Sequence, residues 1–396
     1  MRILHIIATL NPEGGGPIES VRTLLSYSPM GYTGEVVTLD DPEAPYLRTI
    51  PFPVHGLGPQ TSTFGYNAKL VPWLKANRHR FDGVVVNGLW QFCGLATLLA
   101  IKGHRPYVVF THGMLDPYFR HAFPLKHLKK WLYWLPVEYW VLRGAYRVLF
   151  TCTAERDLAE KSFWLHRWTP FVVPYGTGGP GGSVEAMRRE FLGVYPHLRG
   201  KRFLLFLGRI HPKKGCDLLT SAFAKFAAMD PDLHLVMAGP DPQNWRQTLE
   251  VPLVEAGCEE RVHWVGMVED DIKWGAFAAC EAFILPSHQE NFGIAVAEAL
   301  ACGKPALLSD KVNIAEEIEQ AGAGYMETDT LQGCENLIGR WLATSGEERE
   351  KMAKRAFTLF VTRYDMRENA KTIIGLFDHA YSDSGLPMPD ETAEEF

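Results

Sequence analysis

An α/β chain of two Rossmann-like domains facing each other across a cleft is the fold class this sequence predicts, on three observations. Short apolar, β-branched runs alternate with longer helical patterns, as in parallel sheets covered on both faces. The rhythm occurs twice, on either side of PYGTGGPGGSVEAMRREF (174–191), whose glycines and proline suit a hinge. And 396 residues exceed what one comfortable core accommodates.

In the first half, strands are expected at 2–8 (RILHIIA), 35–39, 83–87, 107–110, 146–150 and 171–174. The second half repeats them at 202–208 (RFLLFLG), 233–239, 261–266, 282–286 and 305–309. This gives an N-terminal domain over 1–180 and a C-terminal domain over 181–365. A helix is expected over 366–381, packing back on the first domain. The tail, 382–396 (SDSGLPMPDETAEEF), is polar and acidic and is expected to be disordered.

Hydrophobic residues make up 46% and charged residues 22%, the profile of a soluble globular protein. The net charge of −6 argues against nucleic acid as a partner, so any anion must be caught locally. Seven scattered cysteines without a C-x-x-C pair imply reduced thiols and a cytoplasmic compartment. The apolar part of MRILHIIATL is short for a signal peptide and reads as a strand. No run of about 20 apolar residues occurs, and no metal-ligand spacing is present. Asp230-Pro-Asp232 precedes its strand, which makes it a turn at the opposite rim.

Four loops at carboxyl ends of expected strands carry residues unusual for turns. LNPEGGGPIES (10–20) removes three side chains ahead of a helix, at Gly14, Gly15 and Gly16. THGMLDPYFR (111–120) sets His112 beside Gly113. LGRIHPKKGCD (207–217) places Arg209 and Lys214 around a turn, with a helix expected near Gly215; two fixed cations there would neutralise a diphosphate without a metal. HQENFGIAVAEALACGKP (288–305) puts Glu290 and Glu298 on either side of a glycine that opens a helix. Each loop alone also fits a solvated turn, a packed histidine or an ordinary helix start; their convergence favours one site.

GRIHPKKG, VGMV and HQENFGIAVAEALACGKP, with the glycine-rich loop and THG before them, resemble the signature of the family-four retaining glycosyltransferases of GT-B fold, the glycosyl transferases group 1. The likeness covers most of the chain and is strongest over about 200–325. Asn291 stands where glycine or serine is frequent, and VNGLWQF (86–92) lacks histidines many members carry. The resemblance implies that Arg209 and Lys214 hold the diphosphate of a nucleotide-sugar donor and stabilise the charge on the leaving group. It gives Glu298 the ribose hydroxyls, and Glu290 with the backbone of Asn291, Phe292 and Gly293 the donor sugar. His112 would lie over the reacting sugar, Gly15 and Gly16 would close on the pyrophosphate, and Gly266 and Met267 would read the base. The expected reaction moves a hexose from a UDP-sugar such as UDP-glucose to a glycan or lipid-linked sugar acceptor in polysaccharide or lipopolysaccharide biosynthesis. No metal or other cofactor is expected. The alternatives are a GT-B sugar-nucleotide epimerase and a non-catalytic sugar-nucleotide-binding pseudoenzyme.

FPLKHLKKWLYWLPVEYWVLRGA (123–145) has two readings. It is a buried helix pair broken at Pro136, or an interfacial anchor whose aromatic rings and Lys126, Lys129 and Lys130 engage an anionic membrane. The second makes the protein peripheral on the inner face of the plasma membrane.

Overall fold

A computed structural model describes residues 1–12, 15–60, 62–118, 120 and 124–384. The chain forms two compact units: residues 1–175 with the chain from Met366, and residues 176–365. Of the expected tail, residues 382–384 belong to a helix, and 385–396 lie outside the described residues.

The first unit holds seven parallel strands: β1 (Arg2–Ile7), β2 (Thr33–Thr38), β3 (Val54–Gly56), β4 (Gly83–Asn87), β5 (Tyr107–Phe110), β6 (Arg147–Phe150) and β7 (Pro170–Val172). Their order is β3-β2-β1-β4-β5-β6-β7. The second unit holds β8 (Arg202–Leu207), β9 (Leu233–Ala238), β10 (Val262–Gly266), β11 (Ala282–Leu285), β12 (Ala306–Ser309) and β13 (Gly324–Glu327), in the order β10-β9-β8-β11-β12-β13. Two of these were not expected from the sequence: β3 has three residues and β13 is half-buried, so neither shows an apolar run. In both sheets the order reverses once, between β1 and β4 and between β8 and β11. Such switch points are where doubly wound sheets leave a crevice at the strand carboxyl ends.

The strands are apolar throughout because both faces are covered. Leu4, Ile6, Val84 and Val86 pack on one side with Phe92 and Trp134. Ile3, Val85, Val108 and Phe110 pack on the other with Met366, Ala370, Ile373 and Phe377. The second group comes from the helix Met366–Ser384, which completes the first unit's core. It lies so close that a Cβ on Gly83 would stand 2.2 Å from Phe377 Cδ1. Tyr146 anchors its end by donating to Asp383 at 2.6 Å.

Residues 124–144 run as the helix Pro124–Tyr133, a π-helical stretch Trp134–Glu138 and the helix Tyr139–Gly144. The expected break at Pro136 does not occur, because the wider π turn takes up a residue that lacks an N–H. The two faces differ. Trp134, Glu138, Val141 and Leu142 are buried, and Trp134 stacks on Phe163 at 4.1 Å. Leu125, Leu128, Leu132 and Leu135 face out, 78%, 63%, 76% and 49% exposed, at the i, i+3, i+7 spacing of one helix face. Most rings expected at a lipid surface therefore turn inward, and leucines form the outer stripe. Among the described residues, no helix is long and apolar enough to cross a membrane.

Candidate active site

Three loops crowd the carboxyl end of the second sheet. The one after β8 turns into the helix Cys216–Ala227 at Gly215, whose φ is 65°. A Cβ there would lie 2.0 Å from the Pro286 carbonyl oxygen, so glycine lets this loop press on the one after β11. Backbone bonds fix the contact, with His288 N–H donating to the Lys213 carbonyl at 2.9 Å. Glu290 N–H donates to the Lys311 carbonyl at 2.9 Å, and Asn313 N–H donates back to the Glu290 carbonyl at 3.1 Å. The loops after β8, β11 and β12 thus hold one another.

Each glutamate of HQENFGIAVAEALACGKP meets a lysine. The Lys214 ammonium donates to the Glu290 carboxylate, and Lys273, from the helix Asp270–Ala279, donates to Glu298 at 2.6 Å. Both carboxylates are largely shielded, with side chains 19% and 9% exposed, so neither is a solvated surface acid. Acids so shielded need cationic partners, since an uncompensated buried charge is costly. The helix start expected between the two glutamates lies at Gly293, so the path from 290 to 298 is helical only in its second part. The helix is Ile294–Ala301, opened by Gly293 at φ 78°, and Glu290 pairs in a parallel bridge with Val312. The two carboxylates nonetheless flank a helix start, where orphan N–H groups attract anions.

Around them, Asn291 accepts from the Asn313 amide at 3.4 Å, and buried Phe292 meets Tyr364 edge-on at 5.6 Å. Arg209, just past β8, is exposed, and its guanidinium makes no ion pair among the described residues. Gly266 (φ 69°) ends β10, and Met267 is exposed beside it.

In the first unit, β5 runs into Thr111, His112 and Gly113. His112 has φ 50°, a left-handed conformation uncommon for a side-chain-bearing residue. The buried carboxylate of Glu155 holds this turn. It accepts from the Thr111 hydroxyl (2.6 Å), the Gly113 N–H (2.6 Å), and the Thr151 N–H and hydroxyl (2.7 and 2.6 Å). The His112 ring stacks on Phe110 and Tyr175. Its Nε2 lies 3.3 Å from Asn87 Oδ1, and its Nδ1 meets the Tyr175 hydroxyl. These partners assign the tautomer with Nε2–H donating and Nδ1 accepting. Burial lowers the His112 pKa to about 3, so the ring is neutral at physiological pH.

The glycine-rich loop follows β1, and Gly14 lies outside the described residues. Gly15 has φ 82°, and Gly16 opens the helix Gly16–Ser26. A Cβ on either would meet nothing within 4 Å, so packing does not require glycine at these two positions. Asp40 fixes the loop's entry, accepting from the Thr9 hydroxyl at 2.6 Å and Leu10 N–H at 2.7 Å.

Among the described residues, no group of three or more His, Cys, Asp or Glu could hold a metal. Asp230 is taken by Arg202, at 3.0 Å, and by the Asp232 N–H, at 3.1 Å, as in a turn. The structure therefore joins Lys214 to Glu290 and leaves Arg209 open. It adds Lys273, Asn87, Tyr175 and Glu155, which the sequence did not single out. No spacing signal marks them, since Tyr175 lies 63 residues from His112 and Lys273 lies 25 from Glu298.

The family model "Glycosyl transferases group 1" matches residues 188–379, and "Glycosyl transferase 4-like domain" matches 15–176. The chain is 36% identical to a D-inositol 3-phosphate glycosyltransferase of Mycolicibacterium gilvum over 34% of its own length. That match spans only 29% of the relative. It is 24% identical, over 99% of both chains, to a GDP-mannose:cellobiosyl-diphosphopolyprenol alpha-mannosyltransferase of Xanthomonas campestris. The solved structure of Anabaena HepE in complex with UDP and glucose superposes with a TM-score of 0.74 at 20% identity, covering 96% of this chain and 100% of that one. Two matched domains that together span most of the sequence, and a fold shared along nearly all of it, make this chain a member of the GT-B glycosyltransferases that join a 4-like domain to a group 1 domain.

Proposed function

We propose that the protein transfers a hexose, with retention and without a metal, from a UDP-sugar such as UDP-glucose to a glycan or lipid-linked sugar in polysaccharide or lipopolysaccharide assembly. The observation that carries this reading is the pair of shielded carboxylates, Glu290 and Glu298, flanking a helix start with Lys214 on one of them and Arg209 open nearby. Hydroxyl-binding acids at the ends and cations with free N–H groups between them match a neutral–anionic–neutral ligand, which a nucleoside diphosphate sugar is.

Glu298 takes the ribose hydroxyls, held in place by Lys273. Glu290, with the backbone of Asn291, Phe292 and Gly293, takes the sugar, while Arg209 and Lys214 bind the diphosphate. Gly266 and Met267 serve the base. The first unit contributes Gly15 and Gly16 to the pyrophosphate and His112, as a neutral ring held by Asn87 and Tyr175, to the surface facing the reacting sugar. The acceptor oxygen attacks the anomeric carbon on the face from which the diphosphate leaves. The C–O bond to phosphate breaks, its electron pair stays on the nucleoside diphosphate, and a departing phosphate oxygen takes the acceptor proton. Arg209 and Lys214 stabilise that charge.

Calorimetry with UDP, GDP and ADP tests the donor side. UDP is expected to bind tightest, Glu298→Ala to weaken it, and Glu290→Ala to spare it while abolishing turnover. Preference for GDP would move the donor to the class named for the Xanthomonas relative, and equal losses in both variants would overturn the split of roles.

The membrane reading commits to an anionic lipid surface. Residues 120–147 carry six Lys or Arg against one acid, Glu138, in a chain of net charge −6, and Glu138 is buried. Beside the exposed leucine stripe, Lys126 and Lys129 are exposed; each lysine near an anionic leaflet contributes roughly 1 kcal/mol. Lys130 is not among the lipid contacts, because its ammonium lies 4.6 Å from the Trp90 ring centroid. Wild-type protein is expected to co-sediment with phosphatidylglycerol vesicles at low salt, and Leu128→Ser with Leu132→Ser to release it. A wild type that stays in the supernatant would point to a soluble acceptor.

A further inference from the structure

The inner face of the leucine-bearing helix grips a strained loop. Trp90, in the loop after β4, has φ 68°. For a bulky residue this conformation persists only where its surroundings over-determine it. Those surroundings come largely from one helix. The Trp90 N–H donates to Glu138 Oε2 at 3.3 Å, Lys130 lies over the indole, and Trp134 packs on it at 6.0 Å. The next residue, Gln91, accepts at its carbonyl from the Tyr133 hydroxyl at 3.5 Å. Lys130, Trp134 and Glu138 follow i, i+4, i+8, the face opposite the outward stripe.

Trp90 in turn grips the loop after β5. Its indole N–H donates to the Met114 carbonyl at 3.3 Å, and Leu89 N–H points at Met114 Sδ, 3.1 Å away. Met114 lies two residues past His112, and His112 itself bonds Asn87 at the end of β4. One contiguous set of contacts therefore runs from the leucine helix through Trp90 to the turn that holds His112. Among the described residues the other oxygen of Glu138 has no hydrogen-bond partner, and burial pushes its carboxyl up to about 8. The grip on Trp90 is thus kept despite a polar cost.

We propose that Trp90 is a positioning residue that transmits docking of residues 124–138 on an anionic lipid surface to the strand-end loops 88–92 and 112–116. Engagement of the leucines draws on the helix from outside, and the Lys130, Trp134 and Glu138 contacts carry that restraint into both loops. This inference rests on the membrane reading above, since without lipid binding there is nothing to transmit.

Hydrogen exchange of the full chain, with and without phosphatidylglycerol vesicles, tests it. In wild type, vesicles are expected to slow exchange several-fold at 124–138 and also at 88–92 and 112–116, whereas phosphatidylcholine vesicles leave all three unchanged. Lys130→Met and Trp90→Gly are expected to co-sediment as wild type does and to keep the protection at 124–138. Both are expected to lose the vesicle-induced protection at the two loops. Lys129→Met, which removes an exposed charge from the same helix, is expected to lower the bound fraction while keeping the loop response of bound molecules. The vesicle-induced difference is read, so a variant that merely loosens the loop in both states is not mistaken for loss of transmission. Vesicle-bound wild type protected only at 124–138, or loop protection that survives in both Lys130→Met and Trp90→Gly, overturns the inference. Absence of co-sedimentation overturns the membrane reading first, and this with it.

Discussion

The two units arrange their strand-end residues by different physics. In the second, the candidate residues are charged and neutralise one another, Lys214 with Glu290 and Lys273 with Glu298. In the first, the ring at the corresponding position, His112, is neutral and held by an amide, a hydroxyl and a stack of rings, while the charge beneath it, Glu155, bonds four donors of its own unit. On the proposed reading, the second unit exchanges a cation's partner for a phosphate. The first is built to keep one geometry.

The comparison breaks first at the cations. Lys214→Ala and Arg209→Ala are each expected to lower kcat by roughly 10²–10³-fold, as for loss of one donor to a developing negative charge. Only Lys214 shares a partner with the motif. A kinetic double-mutant cycle should therefore show coupling between Lys214 and Glu290 of about 0.5–3 kcal/mol, and near-additivity between Arg209 and Glu290. Equal coupling in both cycles would show that the pairing has no part in turnover.

The first unit is tested through its buried acid. Glu155→Ala strands donors at Thr111, Gly113 and Thr151, each costing about 1–3 kcal/mol when buried. A loss of about 3 kcal/mol or more in urea unfolding is expected, with UDP affinity of the second unit unchanged. A fall in UDP affinity would show that the units are not independent in this respect.

The smallest effect is a pH dependence. His5 and His112 are held neutral by burial, each lowered from 6.5 to about 3. The unfolded chain binds these protons more readily, so their contribution is complete above about pH 6.5 and declines as pH falls towards 3. At pH 5 the loss is up to about 2 kcal/mol for fully buried His5 and less for half-buried His112. Denaturation midpoints of His5→Gln and wild type at pH 7 and pH 5 check the sign: the variant should show the shallower decline.

How much was legible in the sequence follows the same division. Arg209 with Lys214, and Glu290 with Glu298, sit within single loops or one loop and its helix, so a short window of sequence carries them. The two central stretches of each sheet were legible for a similar reason, as uninterrupted apolar runs with both faces buried. The partners that set each residue's chemistry were not, since Asn87, Glu155 and Tyr175 reach His112 and its turn only once β4, β5, β6 and β7 are side by side. The aromatic segment over 124–144 stayed open to two readings for a different reason. Its composition fits a core and a membrane surface alike, and only the direction of each side chain separates the leucines from the rings.

The helix Met366–Ser384 gives the first unit a history as well as a core. Residues 1–175 precede the rest, yet the face of their sheet bearing Ile3, Val85, Val108 and Phe110, which Leu24 covers in part, is completed only when Met366, Ala370, Ile373 and Phe377 emerge. The second unit, continuous from 176 to 365, can close while the first still waits. Of the two units, the one whose first part is translated earlier is thus the one whose core closes later, and during the interval part of its apolar face is open to non-native contacts.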